Sequence, residues 1–178
     1  YQSSPYTWLA QVRATSFYWN NGEAVMGCRS GKCASDVVAL GNPLLWWVGI
    51  GALLLVIVAT FYYRNWRVGV IALGYIALYV PWLAYAHRTI FVFYTVAFAP
   101  YVALAVAWMI GLLAGWVTVD GSPEPAPASR QTQITGWVFA ALVTAAILGC
   151  ALYFMPLWRG DVVDYDFWRA HMWLPSWI

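Results

Sequence analysis

Long apolar runs without charge alternate with short polar segments along this 178-residue chain. Crossing about 30 Å of hydrocarbon takes about 20 apolar residues in a helix, and a charge at mid-membrane costs at least about 2.5 kcal/mol. Four of the runs meet both requirements, so the pattern predicts four transmembrane helices. The predicted spans cover residues 43–63, 68–86, 90–114 and 134–157.

Polar segments flank and connect these spans. Residues 1–42 form an arm rich in Ser, Gly, Asn and Tyr, and we expect it to be ordered outside the membrane. In the tail, residues 159–178, Tyr165, Trp168 and Met172 recur at helical spacing, which predicts a short interfacial helix. The predicted fold class is therefore an all-α, polytopic membrane protein with an extramembrane N-terminal arm and an interfacial C-terminal helix.

Two prolines lie inside predicted spans. Pro81 falls in the second span and Pro100 in the third, and each removes a backbone hydrogen bond and can bend its helix. Both flank the charged turn at residues 86–89. Two interpretations stay open: bent helices that open a cavity around this turn, or simple accommodation of helix packing.

Composition supports the membrane assignment and excludes one function class. Hydrophobic residues make up 63% of the chain and charged residues 9%, whereas an ordinary soluble domain carries about 25% charged residues. The net charge of +2 is small and the basic residues are scattered, which excludes a nucleic-acid-binding face. The 13 Trp and 12 Tyr concentrate near span ends, as expected for rings that prefer the headgroup layer.

Orientation is ambiguous from the residues alone. More basic residues fall on the side of the arm and tail, and the positive-inside rule makes that side cytoplasmic. Cys28 and Cys33 favour the opposite, because two cysteines in a Gly/Ser loop suit a small disulfide in an oxidising compartment. Free thiols or half of a metal site are the alternatives. Cys150, inside the fourth span, is interpreted as a small apolar filler.

Arg88 is the most suggestive single residue for chemistry. A guanidinium beside two proline-containing helices, followed by Phe91 and Tyr94, suits a lipid phosphate whose chain lies along an aromatic wall. His87 is a second possible phosphate donor. The alternatives are an Arg that extends to the interface and a solvated His. The acids Asp161, Asp164 and Asp166 suit either a carboxylate cluster or a solvated surface, and no metal site is predicted.

Five separated segments of the chain carry a resemblance to a known family. They are "YQSSPYTWLAQVRATSFYW", the paired cysteines, "ALGNPLLWW", "HRTIFVFYTVAFAPY" and the terminal "WLPSW". In this order they resemble the C-terminal four-span region of bacterial protein O-mannosyltransferases, the actinobacterial relatives of the eukaryotic enzymes. The resemblance covers nearly the whole chain.

The resemblance implies an inverting glycosyltransferase of the GT-C membrane fold. Such an enzyme moves mannose from polyprenyl (dolichyl-type) phosphate mannose to Ser or Thr hydroxyls of secreted proteins at the plasma membrane. The lipid-linked donor is a co-substrate, and no cofactor or metal is implied. The arm and tail are then extracytoplasmic. The implied partners are the bilayer, the donor lipid, the secreted acceptor polypeptide and an N-terminal part of the same enzyme.

The resemblance also implies where catalysis occurs. The family's Asp-Glu pair activates the acceptor hydroxyl, and this sequence contains no Asp-Glu dipeptide, so no catalytic residue is predicted in this chain and the pair is expected upstream. Arg88 and His87 are predicted to contact the donor phosphate. The predicted donor or acceptor groove residues are Phe91, Tyr94, Trp46, Trp47, Arg13 and Trp8. Two alternatives are a non-catalytic four-span scaffold subunit and another GT-C transferase that acts on a lipid or cell-wall glycan.

Overall fold

The computed structural model describes residues 2–22, 27–28, 32–123 and 129–178. Most of these residues lie in helices, and a small sheet and three short 3-10 segments complete the structure. The helices are α1 (Pro43–Phe61), α2 (Trp66–Ala84), α3 (Ala99–Leu113), α4 (Arg130–Arg159) and α5 (Tyr165–Ala170). The strands are β1 (Thr15–Gly22), β2 (Cys33–Ala39) and β3 (Val163–Asp164).

Three of the described helices are long and apolar enough to cross a membrane. α1 and α2 have 19 residues each and α4 has 30. α3 has only 15 residues, which gives about 22 Å of helix at 1.5 Å per residue. The third predicted span is therefore divided, because a 3-10 segment, Val92–Ala97, precedes α3.

Side-chain caps fix the starts of the first two helices. Asn42 Oδ1 accepts from the Leu45 N–H at 3.1 Å, and Pro43 occupies the first turn, where its missing N–H removes no helical hydrogen bond. Asn65 Oδ1 accepts from the Val68 N–H at the start of α2. The short connection between these helices makes α1 and α2 an antiparallel hairpin, as their spacing in the sequence predicts.

The two prolines have different positions in their helices. Pro81 lies inside α2, in its last turn, as predicted. Pro100 does not interrupt a helix, because it occupies the first turn of α3, where no intrahelical hydrogen bond is lost. The bend predicted within the third span is instead the junction between the 3-10 segment and α3.

The arm folds as a β-hairpin, so the all-α prediction is wrong for this part of the chain. β1 pairs antiparallel with β2, and β2 pairs antiparallel with β3 from the tail, in the order β1-β2-β3. The register shifts at Phe17, which forms a bulge between Ser16 and Tyr18. Cys28 and Cys33 are joined by a disulfide beside the start of β2. The sheet depends on residues that are far apart in sequence, which local patterns do not reveal.

The tail packs on the arm and on the end of α4. Its helix, α5, has six residues, and Trp168, His171 and Trp177 are buried. The Trp177 Nε1–H donates to the Gln11 carbonyl at 2.7 Å, and Ser176 Oγ–H donates to the Val12 carbonyl. The interfacial helix predicted through Met172 is thus shorter than expected. The buried tryptophans of the tail pack in a hydrophobic cluster with Phe154 and Leu157 of α4.

Candidate functional site

A groove opens between the end of α2 and the segment that follows it. Its volume is about 510 Å³, and apolar atoms dominate its walls. We call it the Arg88 groove. It is lined by Ala77, Leu78, Pro81, Trp82, Tyr85, Arg88, Thr89, Ile90, Tyr94 and Ala97.

Among the described residues, Arg88 is the only cation that lines this groove. It lies in the turn after α2, where its backbone N–H donates to the Tyr85 carbonyl at 3.0 Å. Its side chain is exposed, and within the described residues its guanidinium has no hydrogen bond or ion pair. Five N–H donors are therefore available to an anion at the mouth of an apolar groove.

Stacked aromatic rings form one wall of the Arg88 groove. Trp82 and Tyr94 lie with ring centroids 4.7 Å apart and planes 18° from parallel. Trp8 supports them from behind in an edge-to-face arrangement, with its ring centroid 5.6 Å from that of Trp82. Offset and edge-to-face pairs of this kind stabilise a rigid wall by about 0.5–1.5 kcal/mol each beyond burial. The groove is thus preformed on its aromatic side.

The other residues predicted near Arg88 lie outside the lining. His87 is exposed on the same turn, and Phe91 is half-buried and stacks on Phe93 at 5.4 Å. Phe93 in turn contacts Tyr94 at 4.7 Å. The structure therefore brings Arg88 and Tyr94 together in the groove and places His87 and Phe91 beside it.

The predicted groove residues on the arm and on α1 are mainly packing residues here. Trp8 has no exposed surface, and its Nε1–H donates to Ser3 Oγ at 2.9 Å. Trp46 is buried against Phe98 at 5.8 Å. The Trp47 Nε1–H donates to the Ala10 carbonyl at 2.9 Å. These contacts attach the arm to the helices.

None of these three tryptophans lines the Arg88 groove, and the exposed Arg13 does not line it either. Their predicted contact with donor or acceptor stays a prediction. Trp8 bears on the groove only indirectly, through its ring contacts with Trp82 and Tyr94 at 5.6 and 6.4 Å.

Part of the lining and one buried acid were not predicted from the sequence. Tyr85 and Thr89 line the groove, and the spacing of Pro81, Tyr85 and Arg88 at i, i+4 and i+7 was a usable signal. Asp36 of β2 is buried and accepts hydrogen bonds from two side chains. No local pattern marks Asp36, because its partners lie 20 and 132 residues away.

The described residues contain no cluster of three or more His, Cys, Asp or Glu side chains that could hold a metal ion. Arg159 and Asp161 form an ion pair at 3.6 Å on the exposed surface of the protein. Within this part of the protein, the Arg88 groove is therefore the site with the clearest chemical character: one cation beside an apolar, aromatic wall.

Comparison with known proteins identifies the family. Residues 1–177 match the family described as "C-terminal four TMM region of protein-O-mannosyltransferase". The chain is 27% identical over 177 residues to the polyprenol-phosphate-mannose–protein mannosyltransferase of Mycolicibacterium smegmatis. It is 25% identical to the proteins of the same name from Mycobacterium tuberculosis and Corynebacterium glutamicum.

These matches cover 99% of this chain and 32% of each relative, so the chain spans about a third of their length. The family match extends over the arm, the apolar helices and the tail together. The chain belongs to the family of C-terminal four-transmembrane regions of protein O-mannosyltransferases.

Proposed function

We propose that this chain is the donor-lipid-binding part of a glycosyltransferase that moves mannose from polyprenyl phosphate mannose to Ser or Thr hydroxyls of secreted proteins. The observation that carries the proposal is the unpaired guanidinium of Arg88 at the mouth of an apolar, aromatic groove. The relatives' names supply the donor, polyprenol phosphate mannose, and a protein acceptor.

The chemistry of the donor matches the Arg88 groove. A polyprenyl phosphate keeps its charged headgroup at the membrane interface while its isoprenoid chain stays in hydrocarbon. Arg88 supplies the cation, and Leu78, Trp82 and Tyr94 supply an apolar wall. Arg is suited to this role because its planar guanidinium binds phosphate oxygens through two parallel N–H bonds. We include His87 of the same turn as a second donor to the phosphate.

Arg88 would act on the leaving group in the transfer step. The acceptor hydroxyl gives its proton to a carboxylate, and its oxygen attacks C1 of mannose. The bond from C1 to the phosphate oxygen breaks with inversion, and polyprenyl phosphate leaves with an additional negative charge. A fixed cation at this phosphate stabilises the charge as it develops. The carboxylate is expected on the Asp-Glu pair outside this chain.

We further propose the topology that this role needs. The 3-10 segment and α3 together have a length of about 34 Å, at about 2.0 Å and 1.5 Å per residue, enough to complete a fourth span of a GT-C fold. The arm, the turn with Arg88 and the tail would then face the extracytoplasmic side of the plasma membrane. The disulfide between Cys28 and Cys33 supports that side, because such bonds persist in oxidising compartments.

Substitution of Arg88 tests the proposal in the natural polypeptide that carries this chain. We expect Arg88→Ala to raise the KM for polyprenyl phosphate mannose about tenfold or more, because a hydrogen bond to a charged group contributes about 1.5–3 kcal/mol, and also to lower kcat, because the charge on the leaving phosphate loses its cation. Arg88→Lys keeps the charge but not the two parallel bonds, so its effect should be intermediate. The measurement is transfer of labelled mannose to a Ser/Thr peptide in membranes.

Arg130→Ala is the matched control, because Arg130 is an exposed arginine at the start of α4 and lies outside the groove. An equal donor KM in Arg88→Ala and Arg130→Ala would remove Arg88 from the site. Absence of mannose transfer by the unsubstituted polypeptide, with its donor and a protein acceptor supplied, would refute the proposed activity itself.

A further inference from the structure

Strand β1 lies at one edge of the sheet, and its aromatic side chains face solvent. Its only neighbour in the sheet is β2, and none of its residues has a backbone hydrogen bond outside the sheet within the described part of the chain. Phe17, Tyr18 and Trp19 have 62%, 50% and 40% of their surfaces exposed. The strand has eight residues, TSFYWNNG, and no charge.

Such an edge is unusual for a strand that stays unpaired. Exposed edge strands are commonly very short or carry Lys, Pro, inward-pointing charges or β-bulges, which prevent pairing with other chains. Of these features, β1 has only the bulge at Phe17. The Tyr18 carbonyl accepts from Ser16 Oγ–H at 3.1 Å, so the regular part of the strand after it, residues 19–22, is the part that offers unpaired backbone groups to an extended polypeptide.

The β1 edge is connected to the Arg88 groove by a short series of ring contacts. Phe17 lies 5.3 Å from Phe93, and Phe93 lies 4.7 Å from Tyr94, which lines the groove. A polypeptide along the β1 edge would therefore run close to the proposed position of the donor phosphate. A transfer reaction needs such proximity, because the acceptor hydroxyl must finally lie about 3–3.5 Å from the carbon that it attacks.

We propose that the β1 edge binds an extended segment of the acceptor polypeptide as an added strand. The inference rests on the proposed function, since it places the second substrate beside the same groove. Backbone hydrogen bonds to an edge strand do not depend on the acceptor's sequence, and aromatic rings cover varied side chains. An uncharged edge also accepts segments of either charge. These properties suit an enzyme whose acceptors share only a Ser or Thr hydroxyl.

Backbone methylation of the acceptor tests strand addition without altering the protein. In an added strand, alternate N–H groups point toward β1 and the others point away. Two versions of one Ser/Thr peptide carry N-methyl groups on two odd or two even positions around the acceptor residue. We expect one version to bind about tenfold more weakly than the other, since each lost hydrogen bond contributes about 0.5–1.5 kcal/mol.

A substitution at Tyr18 tests the aromatic surface, because Tyr18 is 50% exposed and, unlike Phe17, has no ring contact that leads to the Arg88 groove. We expect Tyr18→Ser to raise the KM for the peptide about fivefold, with an unchanged KM for the donor lipid. Tyr6→Ser is the control, because Tyr6 is 70% exposed on the arm but lies outside β1. A second measurement replaces Tyr18 by a photoreactive residue in an otherwise unsubstituted protein. Crosslinking of the peptide to this residue reports binding and does not require transfer.

The outcomes separate this inference from the proposed function. Equal binding of the two methylated peptides, or no peptide crosslink at Tyr18 while transfer proceeds, would overturn strand addition and leave the donor site intact. A crosslink from Tyr18 to another part of the same polypeptide, unchanged by added peptide, would show that the edge is already covered and would also overturn it. An unchanged donor KM in Arg88→Ala would instead contradict the proposed donor site, and the peptide-binding results would stand apart from it.

Discussion

Asp36 shows how one buried side chain joins the arm to the tail. It is 5% exposed, and its two carboxylate oxygens accept from Ser16 Oγ–H at 2.7 Å and from Trp168 Nε1–H at 2.9 Å. Because Ser16 belongs to β1, Asp36 to β2 and Trp168 to α5, the carboxylate connects two strands of the sheet to the helix of the tail. A buried acid is tolerated here because its oxygens have partners.

Replacement of this acid should destabilise the packing of the tail on the arm. Asp36→Leu leaves the buried Trp168 N–H without its acceptor, which costs about 1–3 kcal/mol, whereas the part-buried Ser16 Oγ–H keeps the Tyr18 carbonyl as an acceptor at 3.1 Å. We expect a clear fall in the unfolding temperature of the detergent-solubilised protein. Asp161→Asn is the control, since its exposed ion pair with Arg159 contributes about 0–1 kcal/mol. Equal unfolding temperatures for the two variants would contradict the role assigned to Asp36.

At the scale of elements, the sequence predicts those helices that are determined by a local pattern. Three of the four apolar runs fold as helices long enough to span a membrane, and each could be predicted because its hydropathy depends only on neighbouring residues. Arg88 and Tyr94 were identified because they lie close together in sequence. The pairing of β2 with β3 was not, because Cys33 and Asp164 meet only in the folded chain. The division of the third run into a 3-10 segment and α3 also has no local signal that we recognised.

Close packing of α1 on α3 depends on a glycine. A Cβ at Gly49 would lie 2.4 Å from Val102 Cγ1, whereas a Cβ at Gly51 would meet nothing within 4 Å. We expect Gly49→Leu to separate the two helices and to destabilise the protein by about 1–3 kcal/mol. Gly51→Leu, two residues along the same helix, should have little effect. Thermal unfolding in detergent compares the two, and equal unfolding temperatures would show that the close packing of α1 on α3 does not depend on Gly49.

At the scale of the whole molecule, contacts connect the tail to the Arg88 groove through the arm. Trp177 and Ser176 donate to carbonyl groups of the arm at Gln11 and Val12. The same arm carries Trp8, which packs behind Trp82 in the wall of the Arg88 groove. The tail therefore influences the groove although it does not line it.

Loss of the contact between the tail and the arm should weaken donor binding in the Arg88 groove. Trp177→Ala removes a buried ring and its hydrogen bond to Gln11, which should cost about 3–5 kcal/mol of local stability. We expect a raised KM for the donor lipid in the folded fraction of the protein, as Trp8 loses its fixed position. Trp66→Ala, an exposed tryptophan at the start of α2, is the control. An unchanged donor KM in Trp177→Ala would show that the arm holds Trp8 without the tail.

The free guanidinium of Arg88 has a consequence for the membrane around the protein. Among the described residues that line the groove, only Arg88 carries charge, so an ordinary anionic phospholipid satisfies the groove's electrostatic requirement as well as a polyprenyl phosphate does. If the groove binds the donor as proposed, anionic lipids of the bilayer then compete with the donor for the same guanidinium. Vesicles enriched in phosphatidylglycerol should accordingly slow transfer, and additional donor should restore it.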